Sequence, residues 1–160
     1  MFKQEIERKW IVNLGAIKDL DKYHSTRIIQ GYLSQEMDSL TVRVRSLDGY
    51  AFQLTIKDSG LKIRNEMTYK ISEEEFDASL ALSGNKVIEK RRYYIPSSYD
   101  ADKMIEVDVF KDFGFAIAEY EGESELDVDT FIAEEWFVKE VTNDQKYQNS
   151  YLAYNKKSIE

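Results

Sequence analysis

The feature that most constrains this chain is a two-residue alternation that recurs from one end to the other. Segments at roughly 3–12, 27–34, 40–47, 50–58, 63–71, 87–95, 103–111 and 115–123 are rich in Ile, Val, Tyr and Phe and alternate in period two. Such alternation is the mark of strands with two chemically different faces. The Asp48-Gly49 pair between LTVRVRSL and YAFQLTIK is a strong hairpin signal, and Asp58-Ser59-Gly60 marks a further turn. Helical patterning is confined to short stretches. Ser72 followed by Glu75 has the form of a capping box leading into FDASLAL. Residues 127–135 are short and amphipathic, the tail from about 143 to 154 reads as helical, and 14–24 reads as a turn of helix. With one proline, Pro96, seven scattered glycines and no linker or repeat, 1–160 reads as a single domain. Eight strands and a few covering helices predict a mainly β (α+β) fold, an eight-stranded antiparallel barrel.

Residues two apart on a strand share a face, and here the polar face repeatedly carries paired ions of one sign. Glu5, Glu7 and Lys9 oppose Ile6, Trp10 and Val12; Arg43 and Arg45 oppose Val42 and Val44. Lys57 follows Gln53 and Thr55 on one face of AFQLTIK, and Lys90 pairs with Arg92. Glu106 with Asp108, and Glu119 with Glu121, complete the set. The ordinary reading of each strand alone is a sheet with one wet face. Across strands, however, the charges segregate into cation pairs and carboxylate pairs. That arrangement suits a cavity that holds an anion through its cations and a metal through its carboxylates.

Composition narrows the chemistry. Twenty-two basic against 30 acidic residues give a net charge of −8, which opposes broad binding to nucleic acid or anionic membrane. There is no cysteine and a single histidine, His24, in the polar stretch DKYHSTR. Thiol chemistry, zinc and a serine triad therefore lack their residues, and His24 reads as an exposed loop residue. No GxxxxGK[ST] or GxGxxG occurs. No stretch reaches the length of a spanning helix, and a cytoplasmic location is the default reading. A polyphosphate fits the charge pattern: arginine forks grip its oxygens, and carboxylates supply hard ligands for Mg²⁺ or Mn²⁺.

These residues resemble the CYTH superfamily, the triphosphate tunnel metalloenzymes. The family's N-terminal ExExK is present as Glu5, Glu7 and Lys9 in EIERKW. QGYLS at 30–34, TVRVR at 41–45, LTIK at 54–57, EKRRY at 89–93, IEVDVF at 105–110, AEYE at 118–121 and EVTNDQKYQN at 140–149 follow in family order. The resemblance is nearest to short bacterial inorganic triphosphatases and implies an eight-stranded tunnel. It also implies that Lys9, Arg43, Arg45, Lys57, Lys90 and Arg92 hold the triphosphate, with Lys146 where some relatives carry arginine. By the same resemblance Glu5, Glu7, Asp108, Glu119 and Glu121 bind metal, with Glu106 as a supporting ligand, and Glu66 matches a tunnel carboxylate. Thr68 stands where many relatives have a second acidic residue.

Tyr32 and Lys57 match a catalytic pair whose pKa values the tunnel cations would lower and metal-bound carboxylates would raise. The expected reaction is hydrolysis of tripolyphosphate to pyrophosphate and phosphate with Mg²⁺ or Mn²⁺. Class IV adenylyl cyclase, thiamine or nucleoside triphosphatase, and a non-catalytic polyphosphate- or nucleotide-binding module remain the alternatives. The expected partner is the small-molecule triphosphate, without nucleic acid or membrane, and homodimerisation stays open.

Overall fold

A computed structural model describes residues 2–34 and 40–156. Nine strands form one sheet: β1 (Phe2–Val12), β2 (Ser25–Tyr32), β3 (Thr41–Leu47), β4 (Ala51–Lys57), β5 (Ile63–Lys70), β6 (Val87–Pro96), β7 (Met104–Phe110), β8 (Ala116–Gly122) and β9 (Phe137–Glu140). The order is β5-β4-β3-β2-β6-β7-β8-β1-β9, and an additional β5–β1 pairing closes eight of the strands into a barrel. Every pairing is antiparallel.

Strand β1 is the seam. One edge pairs with β8 from Ile6 to Val12, while the other pairs with β5 from Phe2 to Ile6. Where β5 leaves, Glu7 N donates to Lys62 O, and β9 then takes over the edge at Trp10–Val12. This relay leaves few backbone groups of β1 unpaired, as a buried strand requires. The Asp48-Gly49 turn is as expected: Asp48 has φ 55°, Gly49 φ 74°, and Tyr50 N donates to Leu47 O, the geometry of a type I′ turn.

The apolar cores lie outside the barrel and at one end of it. Ile6, Trp10, Ile105, Val107, Ala118 and Tyr120 point outward and bury Val128 and Phe131 against them. Helix α1 (Glu73–Ser83) begins with the expected capping box of Ser72 and Glu75, and its Phe76 packs on Phe52 of β4. Its far end lies so close to β2 that a Cβ on Gly31 would sit 2.6 Å from Ser83 Oγ. A second cluster of Tyr32, Ile88, Phe110 and Ile117, capped by Leu152 and Ala153, plugs the barrel.

Elsewhere the helical expectations are revised. Helix α2 spans only Glu125–Asp129, because Thr130 Oγ1 donates back to Leu126 O and Phe131 turns away to stack on Tyr120 at 4.2 Å. The tail divides into a 3₁₀ turn, Gln145–Tyr147, and helix α3 (Asn149–Tyr154), separated at Gln148, which is extended and donates to Gly60 O. The 14–24 stretch holds two 3₁₀ turns, and β9 has no counterpart among the expected strands. His24 is exposed, stacked on Tyr94 at 5.4 Å. Among the described residues, no helix is long and apolar enough to cross a membrane.

Candidate functional site: a charged tunnel

Because outward positions take the apolar residues, the alternate positions of the same strands turn their charges into the barrel. They line a cavity of about 160 Å³. Glu5, Glu7 and Lys9 of β1, Arg43 and Arg45 of β3, Lys57 of β4, Lys90 and Arg92 of β6, Glu106 of β7, Glu119 and Glu121 of β8, and Tyr32 of β2 all reach it. The strand pairing thus gathers residues from one end of the chain to the other into one site.

The walls differ in how far their charges cancel. Lys90 and Arg92 are neutralised within the barrel wall: Lys90 Nζ lies 2.7 Å from Asp108 Oδ2, and Arg92 reaches both Asp108 oxygens at 2.7 and 2.9 Å and also Glu106. Burial alone would raise the Asp108 carboxyl and lower the Arg92 guanidinium. The ion pairing reverses both, holding Asp108 below the usual carboxylate range and Arg92 well above the ordinary arginine value. Burial dominates at Lys90, pushed down to about 8 despite Asp108.

The seam wall is acidic. Lys57 Nζ lies 2.8 Å from Glu5 and 3.5 Å from Glu66, and Arg64 lies 3.2 Å from Glu5. Burial would raise Glu5, yet Lys57 and Arg64 keep it below the ordinary range. Burial lowers Lys57, against the opposing pull of Glu5. Glu7 is driven well up by burial and then by Glu119 and Glu5, whereas Glu119, although buried, is held at about 2 by Lys9 and Arg92. Glu5, Glu66 and Glu121 each offer an oxygen, all within 4.8 Å of one another. Three convergent carboxylate oxygens fit a hard divalent cation.

The β3 wall is different again. Among the described residues, neither Arg43 nor Arg45 forms an ion pair with a carboxylate. Arg45 Nε donates to Gln53 Oε1 at 3.0 Å, and buried Arg43 Nε has no hydrogen-bond partner. Burial, then Arg43 and Arg92, push Arg45 down to about 10. This is a concentration of uncompensated positive charge facing a cavity.

Three expectations change at this point. Asp108, predicted as a metal ligand, is absent from the cavity lining: it is fully buried, with both oxygens engaged by Lys90 and Arg92. Lys146 lies exposed within the 3₁₀ turn and does not line the cavity. Tyr32 and Lys57 both line it, but no hydrogen bond joins them among the described residues, and burial raises the Tyr32 hydroxyl against the lowering effect of Arg43. Arg64, outside the expected set, also lines the cavity, two residues from Glu66 on the same strand face. Lys3, with its ammonium 3.3 Å from Glu66 and 2.8 Å from Glu121, was likewise unassigned. Asn149 and Ser150 reach the cavity from α3, a contribution that strand periodicity cannot reveal.

No protein-family model matches the chain. It is 32% identical over 151 residues to the inorganic triphosphatase of Nitrosomonas europaea, covering 93% of this chain and 96% of that protein. It is 36% identical over 158 residues to the inorganic triphosphatase of Acetivibrio thermocellus, covering 95% and 94%. Its fold matches the solved structure of the inorganic triphosphatase NE1496 with a TM-score of 0.68 at 30% identity, over 93% of each chain. With the closed eight-stranded barrel and its charged lumen, these relationships place the chain in the inorganic triphosphatase family of CYTH-type triphosphate tunnel proteins.

Proposed function

We propose that this protein is a metal-dependent triphosphatase that cleaves inorganic tripolyphosphate to pyrophosphate and phosphate. The observation that carries the reading is a cationic wall that faces a convergence of carboxylates across one cavity. Arg43 and Arg45 present guanidinium groups with no carboxylate partner among the described residues, while Glu5, Glu66 and Glu121 converge on a point suited to a cation. A polyanion accompanied by divalent metal satisfies both walls at once.

Lys9, Arg43, Arg45, Lys57, Lys90 and Arg92 then grip the phosphoryl oxygens. Glu5, Glu66 and Glu121, with Glu7, Glu119 and Glu106 nearby, hold Mg²⁺ or Mn²⁺. When bound, such a cation neutralises phosphoryl charge and orients water. Asp108 holds Lys90 and Arg92 at their places in the wall, and Lys146 has no part in the grip. Tyr32 is the one aromatic side chain among the described lining residues. A lumen without an aromatic platform favours a bare phosphate chain over a nucleotide or thiamine ester, whose rings such platforms recognise.

The test is phosphate release from tripolyphosphate, ATP and thiamine triphosphate side by side, with Mg²⁺ and with Mn²⁺. Tripolyphosphate should turn over fastest, and chelation should abolish the activity. Faster hydrolysis of either organic triphosphate, or turnover that survives chelation, would contradict the proposal.

A further inference from the structure

Tyr32 belongs to the apolar plug, and its neighbours fix the direction of its hydroxyl proton. The ammonium of Lys90 can only donate. Its Nζ lies 2.8 Å from Asn149 Oδ1, so that atom is an acceptor; the reversed amide would set an NH₂ against an ammonium. Gln30 approaches the same oxygen at 3.1 Å and must therefore present its Nε2. That Nε2 also donates to the Tyr32 hydroxyl oxygen at 2.9 Å, and the nearby Arg43 guanidinium, whose charge lowers the hydroxyl pKa, has no acceptor to offer. Neither neighbour can accept the hydroxyl proton. The proton is left to point into the cavity that Tyr32 lines.

Gln30 holds this arrangement under strong constraint. It is completely buried, and its Oε1 has no hydrogen-bond partner. An unpaired buried carbonyl is costly, so the amide would turn to accept from Tyr32 were Asn149 and Lys90 not directing it otherwise.

We propose that Lys90, Asn149 and Gln30 form a relay of hydrogen-bond direction that holds Tyr32 as a donor to a phosphoryl oxygen of the bound triphosphate. Gln30 and Asn149 are positioning residues in this scheme, and Tyr32 keeps its proton throughout, sharing it without giving it up. The inference rests on the triphosphatase reading above. It makes Tyr32 a hydrogen-bond donor, whose worth is greatest where negative charge builds on the phosphoryl oxygen.

Three variants test it: Tyr32→Phe, Gln30→Glu and Gln30→Met, assayed on tripolyphosphate with Mg²⁺, their folding checked by melting temperature. Gln30→Glu supplies an acceptor of the same shape, which turns the tyrosine proton away from the tunnel. Gln30→Met removes the donor without supplying an acceptor. Tyr32→Phe should lower kcat roughly a hundredfold with little change in KM. Gln30→Glu should fall to about the same kcat, Gln30→Met should fall less, and the Tyr32→Phe/Gln30→Glu double variant should be no slower than Tyr32→Phe alone. A merely structural glutamine would not produce that non-additivity.

Wild-type kcat in folded Gln30→Glu, or losses that multiply in the double variant, would overturn the relay. If Gln30→Glu does not fold, the same comparison is made with Gln30→Met and its double with Tyr32→Phe, and multiplying losses again overturn it. An unmodified protein inert toward tripolyphosphate would overturn the triphosphatase reading itself, and the relay with it, a result distinct from an active enzyme with an indifferent Gln30.

Discussion

At the scale of single residues, the tunnel contains cations of two kinds that look alike in the sequence. Arg92 is held by Asp108 and Glu106 within the wall, whereas Arg45 hydrogen-bonds to Gln53, has no ion-pair partner among the described residues, and is pushed down to about 10 by burial and by Arg43 and Arg92. Opposite consequences follow for their removal. Arg92→Ala leaves Asp108, which is fully buried, without its bidentate partner, and breaking such a pair costs about 3–5 kcal/mol. Arg45→Ala instead relieves repulsion between like charges, so the ligand-free protein should melt at a higher temperature. The same Arg45→Ala change, and Arg43→Ala with it, should weaken tripolyphosphate binding by about 2–5 kcal/mol through the loss of a charge-assisted contact. Thermal melts without ligand and calorimetric titration with tripolyphosphate read the two effects separately. A lowered melting temperature for Arg45→Ala together with unchanged affinity would mean that the β3 wall is not an anion site.

At the scale of elements, β8 and α2 are joined through one carboxylate. Asp127 Oδ2 accepts from the Tyr120 hydroxyl at 2.8 Å and from Glu123 N at 3.0 Å, and Asp127 Oδ1 lies 2.9 Å from Lys103 Nζ. Burial alone would raise its pKa, but Lys103, Tyr120 and the Glu123 amide lower it below the ordinary aspartate value. A carboxyl depressed in the folded state stabilises fully above its unfolded pKa of about 4, and that stability is lost as pH falls through the folded value. Asp127→Asn should therefore melt below the parent at pH 7, and the gap should narrow as the pH drops below about 4. A gap that is constant across that range would show that the charge contributes nothing.

The elements themselves were unequally legible. The eight barrel strands announce themselves by alternation, and α1 by Ser72 and Glu75. Strand β9 has four residues, too few to carry a period, and it exists because β5 departs from β1 and leaves an edge to be paired. Helix α2 stops short of its amphipathic pattern because Phe131 is drawn onto Tyr120 and Trp10, a tertiary contact that local sequence cannot encode.

At the scale of the whole molecule, the barrel is built inside out. Apolar side chains face outward beneath α1, α2 and the segment around Phe131, or plug one end, and the lumen is left to charge. Which face is charged was legible from spacing alone, since residues two apart cannot separate on a strand. Which charges would cancel was not legible. Asp108 and Glu106 occupy equivalent places in IEVDVF, yet one is sealed under Lys90 and Arg92 while the other lines the cavity. That outcome is set by cross-strand register, Arg92 opposite Asp108 and Tyr94 opposite Glu106. Register, in turn, depends on the closure of the entire barrel.

In the proposed reaction this lumen receives a metal-accompanied triphosphate on Arg43 and Arg45 and cleaves it. Phosphorus NMR of tripolyphosphate incubated with the protein and Mg²⁺ tests it most directly, because substrate, pyrophosphate and phosphate have separate resonances. Tripolyphosphate should convert to equal amounts of pyrophosphate and phosphate, and a folded Arg43→Ala/Arg45→Ala double variant should lose that conversion. An unchanged tripolyphosphate spectrum with the unmodified protein, or full conversion by the double variant, would contradict it.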